Sequence, residues 1–257
     1  MKSSVHILII LALIFSGCTS STKEPKCSAE HSIQATYYYQ TAAENMALCL
    51  QVYNLAKQRV DEIMSKKFDR KPAVVLDMDE TVLDNSGFQA MSIINQLPYS
   101  DSLWNSWVRL KKARAVPGAV DFIKYALSKG IEVVYITNRE EQIRQATLEN
   151  MDQLGFPRLS DENYFFKTTT SDKTERRRQV AEKYSIELFI GDNLSDFSNI
   201  YDDRQDGYGK LAVEKTVEEF GKRYIILPNP TYGDWYKDIA RRSDSCPGGL
   251  MKKRLIE

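Results

Sequence analysis

The sequence predicts an α/β protein: an open, mostly parallel sheet flanked by helices, with a small helical cap lobe. Three observations lead there. Short, wholly apolar, β-rich runs recur at Val74-Val75-Leu76, Val133-Val134-Tyr135-Ile136, Leu188-Phe189-Ile190 and Tyr224-Ile225-Ile226-Leu227, as expected of strands buried on both sheet faces. Helical stretches over 118–129, 140–154 and 174–184 separate them, and strand–helix alternation of this kind builds a parallel sheet. Polar and acidic residues then follow the strand runs directly, where open α/β sheets gather their ligands.

Lys2 precedes an apolar run from Val5 to Phe15. That run is too short to span a bilayer and has the dimensions of a signal-peptide core. It leads into Ser16-Gly17-Cys18, which predicts a lipoprotein signal over residues 1–17 with Cys18 as the lipidated new N-terminus. Thr19, standing where an inner-membrane lipoprotein carries aspartate, points to the bacterial outer membrane. Residues 18–31 read as a tether. From 32 to 70 the apolar residues keep helical spacing, with no glycine or proline before Phe68, and predict one long helix or two in succession. This segment is expected to join the cap lobe. The α/β core is expected over 71–240, broken by a helical insertion at 86–115 that holds Trp104 and Trp107; residues 241–257 read as a tail.

Composition excludes several chemistries. Lysine plus arginine and aspartate plus glutamate number 35 each, a net charge of zero, so nothing favours a nucleic-acid polymer as partner. The histidines, His6 and His31, both lie before the expected core, which leaves zinc, histidine-phosphatase or Ser-His-Asp mechanisms without their residues. Cys27, Cys49 and Cys246 show no CxxC spacing; an exported chain permits one disulfide among the three.

The chemistry lies at the strand ends. Asp77-Met78-Asp79-Glu80-Thr81 follows the first strand. Two such close carboxylates stay ionised together only around a cation; otherwise one holds a proton. Both states are useful, one carboxylate attacking phosphorus while the other moves a proton. Thr137-Asn138-Arg139 follows the second strand, with Thr137 expected to cap a helix opening at Glu140, a place that suits a phosphate oxygen. Lys173 opens the next helix. Gly191-Asp192-Asn193-Leu194-Ser195-Asp196-Phe197 follows the third strand, with aspartates at a spacing suited to magnesium.

With these motifs the sequence resembles the haloacid-dehalogenase (HAD) superfamily of phosphatases, and within it the bacterial class C acid phosphatases, lipoprotein 5′-nucleotidases with four signature aspartates. The first signature runs from Val75 to Asn85 and the second from Phe189 to Phe197; Val116-Pro117-Gly118 and Pro228-Asn229-Pro230-Thr231-Tyr232-Gly233 also fit. Phe88 stands where that family's first signature usually ends in tyrosine. The resemblance implies a Rossmann-like sheet and a magnesium-dependent acid phosphatase acting through a phosphoaspartyl intermediate. It makes Asp77 the nucleophile and Asp79 the acid and base. Thr137, Asn138 and Lys173 would hold the phosphoryl group. Asp77, Asp79 (by its carbonyl), Asp192 and Asp196 would bind Mg2+, and Trp104 and Tyr232 would sandwich a nucleobase. It further implies a small phosphomonoester substrate, a lipid anchor in the membrane and a homodimer. A phosphotransferase on the same fold and a non-catalytic surface lipoprotein are the alternatives.

Overall fold

The computed structural model describes residues 32–204 and 207–241. The expected signal, the lipidated Cys18, the tether, Cys27, Cys246 and all of the tail after Arg241 lie outside the described residues. Among those described, no helix is long and apolar enough to cross a membrane.

The chain opens with two helices, α1 (Ile33–Thr41) and α2 (Ala43–Met64). They separate at Ala42, whose backbone is extended at φ −75° and ψ 125°. Cys49, Tyr53, Ala56, Val60 and Ile63 form the buried stripe of α2, the three-to-four spacing by which a helix covers a sheet. Cys49 is a free thiol within that stripe.

The core follows in alternation. It comprises β1 (Pro72–Leu76), a short β2 (Leu83–Asp84), α3 (Ser86–Ile94), α4 (Asp101–Arg109) and a short β3 (Arg114–Ala115). After these come α5 (Ala119–Ser128), β4 (Glu132–Glu140), α6 (Arg144–Gln153), β5 (Tyr164–Lys167) and α7 (Thr174–Lys183). The last are β6 (Ser185–Gly191), α8 (Lys210–Lys215), β7 (Tyr224–Ile226) and α9 (Asp234–Arg241). Five strands form one sheet in the order β5-β4-β1-β6-β7, with every neighbouring pair parallel.

Alternate side chains divide between the two faces. Val74, Leu76, Val133, Tyr135, Leu188 and Ile190 join the cluster that includes Tyr53 and Val60 of α2 and Phe122 of α5. Val75, Val134, Ile136 and Phe189 join the opposite cluster with Val180 of α7, Phe197, Tyr201 and Tyr224. The wholly apolar strand runs are thus explained by two covered faces. From β1 the chain first builds outward through β4 and β5, then crosses to β6 and β7. The reversal opens a crevice at the carboxyl ends of β4, β1 and β6, the general ligand position of such sheets.

Two local expectations change. Thr137 does not cap a helix: β4 runs on to Glu140, where it pairs with Lys167 of β5, and α6 starts only at Arg144 after a 3-10 turn. The edge strand β5 holds both ends of this stretch, pairing at Ile136 and again at Glu140 across a register shift between them. The insertion rises from an antiparallel stem, with Leu83 opposite Ala115 and Asp84 opposite Arg114. Arg114 Nη2 closes the stem on Asp84 Oδ2 at 2.7 Å.

Candidate active site

The turn after β1 is the floor of the site. Asp77 N donates to Ile190 O at 3.0 Å, continuing the β1–β6 pairing by one bond. Glu80 takes a left-handed backbone at φ +56°, which folds Val82 N and Leu83 N back onto Met78 O. From below, the Tyr53 hydroxyl of α2 donates to Thr81 O at 2.6 Å. Thr81 Oγ1 reaches Asp192 Oδ1 at 3.3 Å, joining the two acidic motifs.

Lys173, at the start of α7, is buried and bonded to both of them. Its ammonium contacts Asp77 Oδ1 and lies 2.6 Å from Asp196 Oδ1. Asp77, Asp192 and Asp196 each offer an oxygen, all within 4.8 Å of one another. Burial raises the Asp77 carboxyl to about 7, with Lys173 opposing the rise and Asp196 and Asp79 adding to it. Desolvation, then Asp196 and Asp77, lift Asp192 well above the usual carboxylate range. Burial alone would lower Lys173, but Asp196 and Asp77 reverse that and hold it raised. Three carboxyl groups face one ammonium, so all three stay ionised only if a further cation joins Lys173; otherwise burial and mutual repulsion keep protons on the cluster. An all-oxygen set of this kind fits magnesium, which favours carboxylates together with retained waters.

Glycine makes the β6 end possible. A Cβ on Gly191 would stand 2.4 Å from Asp196 Oδ2, and no side chain fits there. Asp196 Oδ2 accepts from Asn193 N at 3.0 Å, and Asn229 Nδ2 donates to Asp192 Oδ2 at 2.8 Å. Asn229 also orders its own loop, accepting from Thr231 N at 3.0 Å and Tyr232 N at 3.4 Å. Tyr232 is thereby tied to Asp192 through one residue.

The remaining expected residues are less uniformly gathered. Asp79 Oδ1 lies 2.8 Å from Arg139 Nη2. Thr137 is fully buried, and its Oγ1 accepts from Arg139 N at 3.1 Å. Asn138 stands apart: it is exposed, and its Oδ1 accepts from Arg176 Nη2 at 2.7 Å. Trp104 is half-buried, edge-to-face with Phe88 at 5.1 Å and 5.6 Å from the Arg139 guanidinium. Phe88 is buried with Trp107 and Val108 in a cluster of their own. Sequence reasoning passed over Arg139, Asn85, Asn229 and Arg176 as site residues. None of the four stands out in the sequence: Arg139 lies among Thr137, Asn138 and Glu140, where a charge is unremarkable.

The family model for HAD superfamily, subfamily IIIB (acid phosphatase), matches residues 18–235. The chain belongs to this family. Among solved structures, the class C acid phosphatase of Bacillus anthracis is similar at TM-score 0.83 and 36% identity, over 90% of this chain and 99% of that one. The tungstate-bound form of the same enzyme gives TM-score 0.84 with the same identity and coverage. Acid phosphatase 1 of Solanum lycopersicum is 29% identical over 136 residues, 50% of this chain. That match spans 52% of the tomato protein's length. Subfamily IIIB acid phosphatases are phosphoric monoester hydrolases, and the fold described above is theirs.

Proposed function

We propose that this chain is a magnesium-dependent acid phosphatase that hydrolyses nucleoside monophosphates through a phosphoaspartyl intermediate. The observation that carries the reading is Asp77, buried against Lys173, with carboxylates of Asp192 and Asp196 close enough to share a cation with it. Asp77 attacks phosphorus, and Asp79 gives the leaving oxygen a proton; in the second half Asp79 takes a proton from the water that frees Asp77. Thr137 and Lys173 hold phosphoryl oxygens. Bound magnesium would offset the charge that builds between carboxylates and phosphate.

Trp104 and Tyr232 supply faces on which a base can stack, which favours nucleotides over small sugar phosphates. Cys18 carries a lipid that holds the enzyme at the outer membrane, and two copies pair as a homodimer. The test is a hydrolysis screen over nucleoside monophosphates, sugar phosphates and an aryl phosphate, with and without EDTA. Activity should vanish on chelation, return with magnesium and be highest on nucleotides. An undiminished rate in EDTA would remove the metal from the reading.

A further inference from the structure

The proton that Asp79 carries in the proposed mechanism, the reading on which this inference rests, has more structure around it than a lone carboxylate needs. Arg139 Nε donates to Asp79 Oδ1 at 2.9 Å, and Arg139 Nη2 lies 2.8 Å from the same oxygen. Asn85 Nδ2 also donates to Oδ1, at 2.9 Å. Among the described residues nothing donates to Oδ2.

Both donors are themselves fixed. Arg139 is 1% exposed, and its Nη1 donates to Thr147 Oγ1 at 3.1 Å. Asn85 is fully buried, and its backbone N donates to Glu80 Oε1 at 2.8 Å. Asn85 Oδ1 accepts from Arg139 Nη2 and from Trp107 Nε1, each at 3.1 Å. The insertion helix α4 is therefore bonded into the same network.

A free carboxyl group offers two equivalent oxygens by rotation. Here rotation would take the carboxylate from the buried guanidinium, leaving Arg139 Nε without an acceptor, and would leave the Asn85 amide with Leu83 O alone; buried donors do not give up acceptors cheaply. We propose that Arg139 and Asn85 are positioning residues that pin Oδ1 of Asp79 and leave Oδ2 as its one proton-carrying oxygen. In the first half-reaction the bond from Asp77 to phosphorus forms and the ester P–O bond breaks. The proton on Oδ2 passes to the leaving oxygen, which departs as the alcohol. In the second, water oxygen bonds to phosphorus, the Asp77–phosphorus bond breaks, and a proton of that water goes to Oδ2. Oδ1 keeps its donors throughout.

Proton donation matters in proportion to the basicity of the leaving oxygen. An alkoxide needs the proton, whereas a dinitrophenolate leaves without it. The experiment compares kcat/KM for a nucleoside 5′-monophosphate and for 2,4-dinitrophenyl phosphate in the wild type, Arg139→Lys, Asn85→Ala and Asp79→Asn. The inhibition constant of inorganic phosphate reports the phosphoryl site separately. Arg139→Lys should lose about a hundredfold or more on the nucleotide and about tenfold or less on the aryl ester, with phosphate inhibition little changed. In the Asp79→Asn background it should add no further discrimination between the esters. If Arg139→Lys does not fold, Asn85→Ala carries the same comparison. Equal losses on both esters, with Asp79→Asn still discriminating, overturn the clamp alone. If Asp79→Asn does not discriminate either, the acid–base reading of Asp79 falls and takes the clamp with it.

Discussion

At Gly191 the backbone runs so close to Asp196 that a methyl group has nowhere to go. Gly191→Ala should push the Asp196 carboxyl off Lys173, costing about 1–3 kcal/mol by overpacking and much of the activity. Denaturant melts and steady-state rates on one preparation check both; unchanged values would mean that Asp196 has room to move. Asp77→Asn keeps the volume but removes the attacking charge, so turnover should fall roughly 10³-fold or more, measured as phosphate release. The aspartates were legible because two acidic pairs, each directly after an apolar run, recur together with Thr137 and Lys173 along the chain. Arg139 and Asn85 were not, since an arginine in a sequence reads as a solvated charge until geometry shows the carboxylate that pairs with it.

Elements show the same division. The strands β1, β4, β6 and β7 were legible from short apolar runs, three of them central in the sheet and covered on both faces. β5 was not, because four residues with alternating burial look like loop until β4 is seen beside them. The stem of β2 and β3 is two residues a side and carries no periodicity at all. The insertion that this stem supports brings Trp104 onto Arg139, so Trp104→Ala should raise KM for nucleotides about tenfold and leave KM for a small non-aromatic phosphate nearly unchanged. Equal effects on both would make the ring structural. A polar strap also joins insertion to core. Asn105 of α4 donates to Glu140 Oε2 at 3.0 Å, and Lys167 of β5 lies 3.3 Å from Glu140 Oε1. Hydrogen bonds from Gln142, then Asn105, then Lys167 lower the Glu140 carboxyl to about 2. A carboxylate depressed on folding adds stability above its unfolded value, about 4.3, and loses it as pH falls through the folded one. The stability difference between wild type and Glu140→Gln should therefore stay level above about pH 5 and shrink toward pH 2. Thermal melts across that range test it, and a difference that does not move with pH would break the assignment.

For the whole molecule, anchoring is the property to test. Labelled palmitate should enter the wild type in a bacterial host, and Cys18→Ser should abolish the label and release soluble protein. Equal labelling of both would place the lipid elsewhere. The site itself is gathered from distant stretches of chain. Lys173 meets a partner 96 positions away in Asp77, Thr81 meets Asp192 across 111 positions, and Asn229 reaches back 37 to Asp192. No contiguous fragment short of the β1 to β7 core holds these groups together. Contacts of such sequence separation form late, because loop closure must come before they stabilise anything. Recovered phosphatase activity in a refolding experiment is thus a stringent clock: it cannot start before β6 has docked beside β1, however early the helices appear by circular dichroism.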